Sequence, residues 1–155
     1  VIRRFGEDED IERLFPVIET WLSECHANEF GINIEVTSYL NTAYNLIEHE
    51  DGDLMVMEYK GEIIGLMGIT LSKSPIGDQK IANVLYWYTL PEHRGKGISF
   101  VVEAIKWAKK KSCSHIIYSA SKMGSDLHDR VCMIYERMNM KKFDTSYILE
   151  LGTDK

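Results

Sequence analysis

The segment Arg94-Gly95-Lys96-Gly97-Ile98-Ser99 concentrates the residue types that hold an anion. It stands where the pattern of a strand, closed by Pro91, gives way to the pattern of a helix. A proline cannot extend a strand ladder, and two glycines within three residues let the backbone turn and come close to a ligand. The amides of a helix's first turn have no partner inside the helix, and the aligned peptides add roughly +0.5 of a charge there. With Arg94 and Lys96 beside them, these amides make a cradle suited to phosphate or pyrophosphate. Two other phosphate loops do not fit. A nucleoside triphosphate loop needs G-x-x-x-x-G-K-[ST], whereas Gly97 follows Lys96, and a dinucleotide-binding turn needs a third glycine where Phe100 stands.

The elements that position this loop follow from periodicity. Residues 81–90 are the most strand-like segment of the chain. Residues 97–111 predict a helix with Ile98, Val101, Val102, Ile105 and Ala108 on one face and lysines on the other and at its end, where they suit the negative end of the dipole. Upstream, residues 1–5 alternate as a short strand. Gly6-Glu7-Asp8-Glu9-Asp10 then supplies a turn, an N-cap and acidic charge for a helix with Ile11, Leu14, Phe15, Ile18, Leu22 and Cys25 on one face. A loop over residues 26–35 leads to a second helix over residues 37–49. Past Asp51-Gly52-Asp53 the period becomes two: residues 54–59, a Lys60-Gly61 turn and residues 62–71 predict a hairpin, and residues 72–80 a loop. Downstream, residues 115–120 predict a strand and 122–125 a loop. Asp126 is placed to cap a helix that runs to Asn139, a residue suited to the left-handed close of a helix. Residues 145–151 predict a last strand and residues 152–155 a frayed end. The expected fold class is α/β (α+β): a mixed, mostly antiparallel central sheet of about six to seven strands flanked by four helices, in one domain over residues 1–155.

Composition agrees with one domain. The chain has 155 residues, 45% of them hydrophobic, with only 3 Pro, enough to bury a core without staples. Eighteen Lys+Arg against 24 Asp+Glu give a net charge of −6, which argues against long-range attraction to nucleic acid or an anionic membrane. Any bound anion is then captured locally. Cys25, Cys113 and Cys132 form no CxxC pair, and the 5 His show no metal-ligand spacing, so no metal is expected and the thiols read as reduced in a cytoplasmic protein. No apolar run approaches the ~18–20 residues of a membrane span.

The loop and its flanks resemble the GNAT superfamily of acyl-CoA-dependent N-acetyltransferases. That family's signature [QR]-x-x-G-x-[GA] lies on Arg94-Gly95-Lys96-Gly97-Ile98-Ser99, after a strand ending in Pro91-Glu92, with Ser99 where Gly or Ala is usual. A second stretch, Tyr135-Glu136-Arg137-Met138-Asn139-Met140, resembles the family's Tyr-Glu-x-x-Gly-Phe, with His128 where an Asn usually opens the motif. The resemblance implies that the loop amides hold the pyrophosphate of acetyl-CoA, the acyl donor, and that Tyr88, Thr89 and Leu90 pair with the pantetheine arm as an added strand would. It also implies that Tyr135 protonates the departing thiolate. Taken alone, Tyr135 reads as a half-buried tyrosine with a wet hydroxyl.

If acetyl-CoA binds this way, the chemistry follows from the thioester. A neutral amine attacks the carbonyl, charge develops on oxygen, and a thiolate leaves. Backbone amides near the end of the 81–90 strand can stabilise the oxyanion, a contribution of about 2.7–4 kcal/mol per donor in other enzymes. That strand is expected to splay from the next to make room. The expected activity is acetyl (acyl) transfer to a primary amine of a small molecule or peptide, by direct attack in a ternary complex. A general base is not evident: the 81–90 and 115–120 strands hold no carboxylate, and Glu29, Glu35 and Glu58 are candidates by chain position only. The acceptor site is expected between the 25–36 segment, the 72–80 loop and the last strands. Phe30, Tyr39, Tyr86 and Trp87 are candidate linings, although strand alternation sends Tyr86 and Trp87 to opposite faces.

Two readings compete with an enzyme: a non-catalytic acyl-CoA-binding or regulatory module, which the missing base favours, and an anion-binding interaction domain without CoA. Edge strands near the C-terminus leave room for a homodimer through the sheet.

Overall fold

The computed structural model describes residues 1–124 and 126–152. Five strands, β1 (Ile2–Arg4), β2 (Gly52–Tyr59), β3 (Glu62–Lys73), β4 (Lys80–Thr89) and β5 (His115–Tyr118), lie side by side in chain order. The first four are antiparallel neighbours; β5 pairs with β4 in parallel, as the helical crossover between them requires. Four α-helices flank the sheet: α1 (Phe15–Glu24), α2 (Val36–Glu48), α3 (Ile98–Lys110) and α4 (His128–Arg137). Short 3-10 turns over Ile11–Leu14, Ala27–Phe30 and Pro91–Lys96 lead into or between them.

Local chemistry explains most boundaries. The Asp10 side chain accepts from the Glu12 amide and starts the first helical segment. Lys60 and Gly61 take positive φ values of 51° and 81°, the geometry of a tight hairpin turn. Asn139 takes φ 61° and closes α4 as its sequence position predicts. Asp126 does not cap that helix: α4 starts from Leu127 without a side-chain cap, and the Asp126 carboxylate instead meets His26 Nε2 at 2.7 Å.

Two apolar clusters sandwich the sheet. On one face Leu14, Val17 and Ile18 and, from α2, Ala43 and Ile47 pack on Leu54, Val56, Leu66 and Tyr88. On the other, Phe100, Ala104, Trp107 and Ala108 of α3 pack on Met67, Ile69, Ala82 and Val84. Two glycines of β3 make this packing close. A Cβ on Gly65 would lie 2.9 Å from the Phe100 ring, and one on Gly68 would lie 2.7 Å from the Tyr86 ring.

The sheet is smaller than its sequence predicts. Among the described residues it has five strands rather than six or seven, because residues 145–151 form no strand. That segment leaves Tyr147 93%, Leu149 81% and Leu151 83% exposed. Strand-forming residues need a ladder partner, and no strand of the sheet pairs with this segment. The predicted loop residue Ser125, and residues 153–155 of the predicted frayed end, lie outside the described residues.

Candidate active site

The site is built by an interruption in β4. Register with β3 runs from Ile69↔Val84 to Gly68↔Tyr86, so Leu85 is an extra residue, a β-bulge. Pairing with β5 stops at the neighbouring position, Val84↔Tyr118. Leu85 therefore has no register partner on either side, and Leu85 to Thr89 run on without β5. The bulge also inverts the alternation of side chains. Ala82 and Val84 pack on the α3 face, whereas Tyr86 and Tyr88 pack on the α1 and α2 face and Trp87 on the α3 face. Past Val84 and Tyr118 β4 runs on without β5, at the place where a splay is expected, and the expected division of Tyr86 from Trp87 holds.

At the end of this free edge lies the glycine loop, a 3-10 turn over Pro91–Lys96 that passes through Gly97 into α3 without a side-chain cap. A Cβ on Gly95 would meet nothing within 4 Å, so the loop is open there. At Gly97 a Cβ would come 2.9 Å from Thr89 Oγ1 and 3.0 Å from Trp87 Cζ3. The Thr89 side chain is thus packed against the loop. Thr89 is only 5% exposed, and its hydroxyl has no hydrogen-bond partner. A buried polar group without a partner costs about 1–3 kcal/mol, which marks a position where a ligand can supply what the protein does not. Leu90 is tied down by its amide, which donates to the Ile64 carbonyl at 2.9 Å, while Ile98 and Ser99 are exposed on the first turn of α3.

The two loop cations have protein partners. Arg94 forms an ion pair with Glu24, the last residue of α1, and stands 5.9 Å from the centre of the Tyr88 ring. Lys96 Nζ sits 4.0 Å from the centre of the Tyr59 ring. Tyr88 donates its hydroxyl to Glu24 Oε1 at 2.9 Å. Burial and the adjacent Glu24 carboxylate both push the Tyr88 phenol up.

Tyr135 is brought to the same region from α4. Its hydroxyl accepts from Trp87 Nε1 at 2.8 Å and donates to the Ser119 carbonyl, just past β5, at 3.1 Å. Burial pushes the Tyr135 phenol up to about 12, and the indole donor opposes part of that rise. The Tyr135 hydroxyl is therefore held in a fixed orientation between β4 and the residue that follows β5. Trp87 spans the loop and Tyr135, with its ring against the Gly97 position and its N–H on Tyr135.

The remaining candidates separate. Glu58 accepts from Arg3 at 2.8 Å and Arg13 at 2.7 Å, and these guanidiniums hold its carboxyl down at about 2, unlike a base poised to take a proton. Glu29 meets His26 at 3.4 Å. Glu35 precedes α2 and lines, with Glu19, Ser23, Asn28 and Asn33, an open cleft on the outer side of α1 that includes neither Tyr135 nor Trp87. Tyr39 and Tyr86 share a 2.8 Å hydroxyl–hydroxyl bond, and Trp21 packs against both rings. The 72–80 loop is at the opposite end of β4 from the opening, where Ser114 N donates to Lys80 O and β4 and β5 are paired. It does not line the site, because β3 and β4 are long strands that carry their shared turn away from Thr89. Among the described residues no group of three or more His, Cys, Asp or Glu is placed to hold a metal ion. No helix among them is long and apolar enough to cross a membrane.

Glu24 and the Leu85 bulge escaped the sequence reading. Glu24 carried one signal, a carboxylate in the last turn of a helix, where the dipole disfavours negative charge and a cation is expected nearby. The bulge carried none.

The family model described as Acetyltransferase (GNAT) family matches residues 15–139, and the chain belongs to this family of acetyltransferases. The sequence has no match among curated proteins. A crystal structure of a transcriptional regulator from Bacillus halodurans C-125 is similar with TM-score 0.78 and 18% identity, over 97% of this chain and 99% of that one. A ribosomal-protein-alanine N-acetyltransferase from Brucella melitensis biovar Abortus 2308 is similar with TM-score 0.71 and 17% identity, over 97% and 99%. AAC(6')-Iy, in complex with the bisubstrate analogue CoA-S-monomethyl-acetylneamine, is similar with TM-score 0.68 and 10% identity, over 99% and 98%. At these identities the likeness establishes a shared mixed α/β fold.

Proposed function

We propose that this protein transfers the acetyl group of acetyl-CoA to a primary amine of a small molecule or peptide, by direct attack in a ternary complex. The observation that carries the reading is the opening between β4 and β5 past Val84 and Tyr118, closed at one end by a glycine loop with the unpartnered hydroxyl of Thr89 behind it. Three things a thioester donor requires can be met there. The Gly97 amide is already given to the Arg94 carbonyl at 3.2 Å, but the amides of Ile98 and Ser99 that open α3, with the Thr89 hydroxyl, suit a pyrophosphate, and the open space at Gly95 lets its oxygens approach the backbone. The unpaired edge from Leu85 to Thr89 suits the amide-bearing pantetheine arm, which can add to it as a strand. The bulged Leu85, out of the ladder with both neighbours, offers a backbone amide to the carbonyl oxygen as charge develops.

Tyr135 acts on the leaving sulfur. Its hydroxyl hydrogen turns from the Ser119 carbonyl to the sulfur, and the Trp87 indole, donating to the same oxygen, steadies the phenolate as the proton departs. The burial that makes Tyr135 a weak acid also raises the sulfur's affinity for that proton. No carboxylate on β4 or β5 serves as a base, so the amine reaches the carbonyl in its neutral form or loses its proton through water.

The missing base favours a second reading, a non-catalytic acyl-CoA-binding module. One experiment separates the two: free-thiol release from acetyl-CoA, assayed over a panel of primary amines. Amine-dependent release that falls in Tyr135→Phe supports the enzyme. Acetyl-CoA binding without turnover on any amine supports the module.

A further inference from the structure

The Glu24 carboxylate joins three elements that meet at the mouth of the site. It ends α1, accepts from Tyr88 of β4 at 2.9 Å through Oε1, and pairs through Oε2 with Arg94 of the glycine loop. Its placement opposes the helix dipole, because no basic residue occupies the last turn of α1 and the carbonyl end of a helix disfavours a carboxylate. A cation beside it offsets that cost, and at present the cation is Arg94. One turn earlier on α1, Trp21 stacks on Tyr88 at 5.8 Å and packs on Tyr86 at 5.1 Å. The Tyr88 ring, whose hydroxyl reaches this carboxylate, already has the Arg94 cation 5.9 Å from its centre, a setting suited to an ammonium group.

Arg94 also flanks the open glycine of the loop, and the Nη2 that it gives to Glu24 cannot at the same time be given to a pyrophosphate. We propose that Glu24 is a latch: it holds Arg94 while the donor site is empty, and the donor's pyrophosphate draws Arg94 away and frees the carboxylate to position the cationic form of the acceptor amine beside Trp21 and Tyr88. Donor binding thereby builds the acceptor's site, and the acceptor class is an amine that arrives as an ammonium ion. Glu24 is a positioning residue and takes no part in bond making. The inference rests on the reading that the loop binds CoA.

The test is a calorimetric titration with CoA of wild type, Glu24→Gln, Arg94→Ala and the double variant, followed by steady-state kinetics on the amine that gives the fastest thiol release. Gln keeps an acceptor for the Tyr88 hydroxyl, and melting curves check that the fold is retained. Breaking one partly exposed ion pair predicts CoA affinity about fivefold tighter in Glu24→Gln, with the gain absent when Arg94 is already Ala. In the kinetics, Glu24→Gln raises KM for the amine by about tenfold or more with kcat much less affected. Unchanged or weaker CoA binding in Glu24→Gln, or an equal gain in the Arg94→Ala background, overturns the latch. An unchanged amine KM overturns the ammonium role. If wild type itself binds no CoA at millimolar concentration, the functional reading fails, and the latch fails with it for that separate reason.

Discussion

The indole Nε1 of Trp87 donates to the Tyr135 hydroxyl at 2.8 Å, linking β4 to α4, the helix that carries the proposed proton donor. Trp87→Phe removes that donor and keeps most of the ring that packs near Gly97. In Trp87→Phe kcat should fall roughly tenfold, with donor affinity nearly unchanged, while Tyr135→Phe costs more, on the order of a hundredfold. Stopped-time thiol release with saturating acetyl-CoA measures both.

The raised Tyr135 phenol sets a pH dependence. Burial holds the group at about 12, above the usual tyrosine value of about 10, so the proton stays in place across neutral and moderately alkaline pH. The folded state retains a proton that the unfolded chain has already lost between about pH 10 and about 12, and stability falls as pH rises through that window. Alkaline denaturation of wild type and Tyr135→Phe checks this. The variant's curve is expected to be shallower there, and parallel curves would contradict the assignment.

Thr89→Val replaces the unpartnered buried hydroxyl with a methyl of similar shape. Removing an unsatisfied group stabilises the empty protein, so the melting temperature should rise, in keeping with about 1 kcal/mol. CoA affinity should fall at the same time. A loss of stability together with unchanged affinity would show that the hydroxyl faces no ligand.

Glu58 is held at about 2 by Arg3 and Arg13, and Glu9 is lowered as well by the same two guanidiniums. A carboxylate with a lowered folded value contributes stability that is present above about pH 4.5 and is lost as pH falls toward about 2. Glu58→Gln should melt lower at neutral pH, show a shallower loss of stability in acid, and leave thiol release unchanged. A large fall in turnover would return Glu58 to the list of bases.

Much of this was legible in the sequence because it is local. Asp10, the Lys60-Gly61 turn and Asn139 each act within a few residues of themselves and are found in the predicted role, and the glycine loop after Pro91 is found at the predicted junction of strand and helix. The parallel pairing of β4 with β5 followed from the helix between them. What was not legible depends on partners far along the chain. Strand propensity over residues 145–151 could not tell that no strand of the sheet would pair with them. The bulge at Leu85 is a register choice between β3 and β4, and Leu85 itself is an ordinary strand residue. Arg94 was predicted to face an anion, and its pairing with Glu24, 70 positions away, needed the fold to be seen.

The most direct test of the donor site is a calorimetric titration of acetyl-CoA into wild type and Gly95→Ala. A Cβ at Gly95 touches nothing in the protein, so the variant should melt as wild type does, and any change in binding reports on space the ligand would fill. Single-site binding to wild type is expected, and binding at least about tenfold weaker to the variant, since a methyl group would stand where the pyrophosphate approaches the backbone. Equal affinity in the two proteins, or no heat from wild type at millimolar acetyl-CoA, would contradict this expectation.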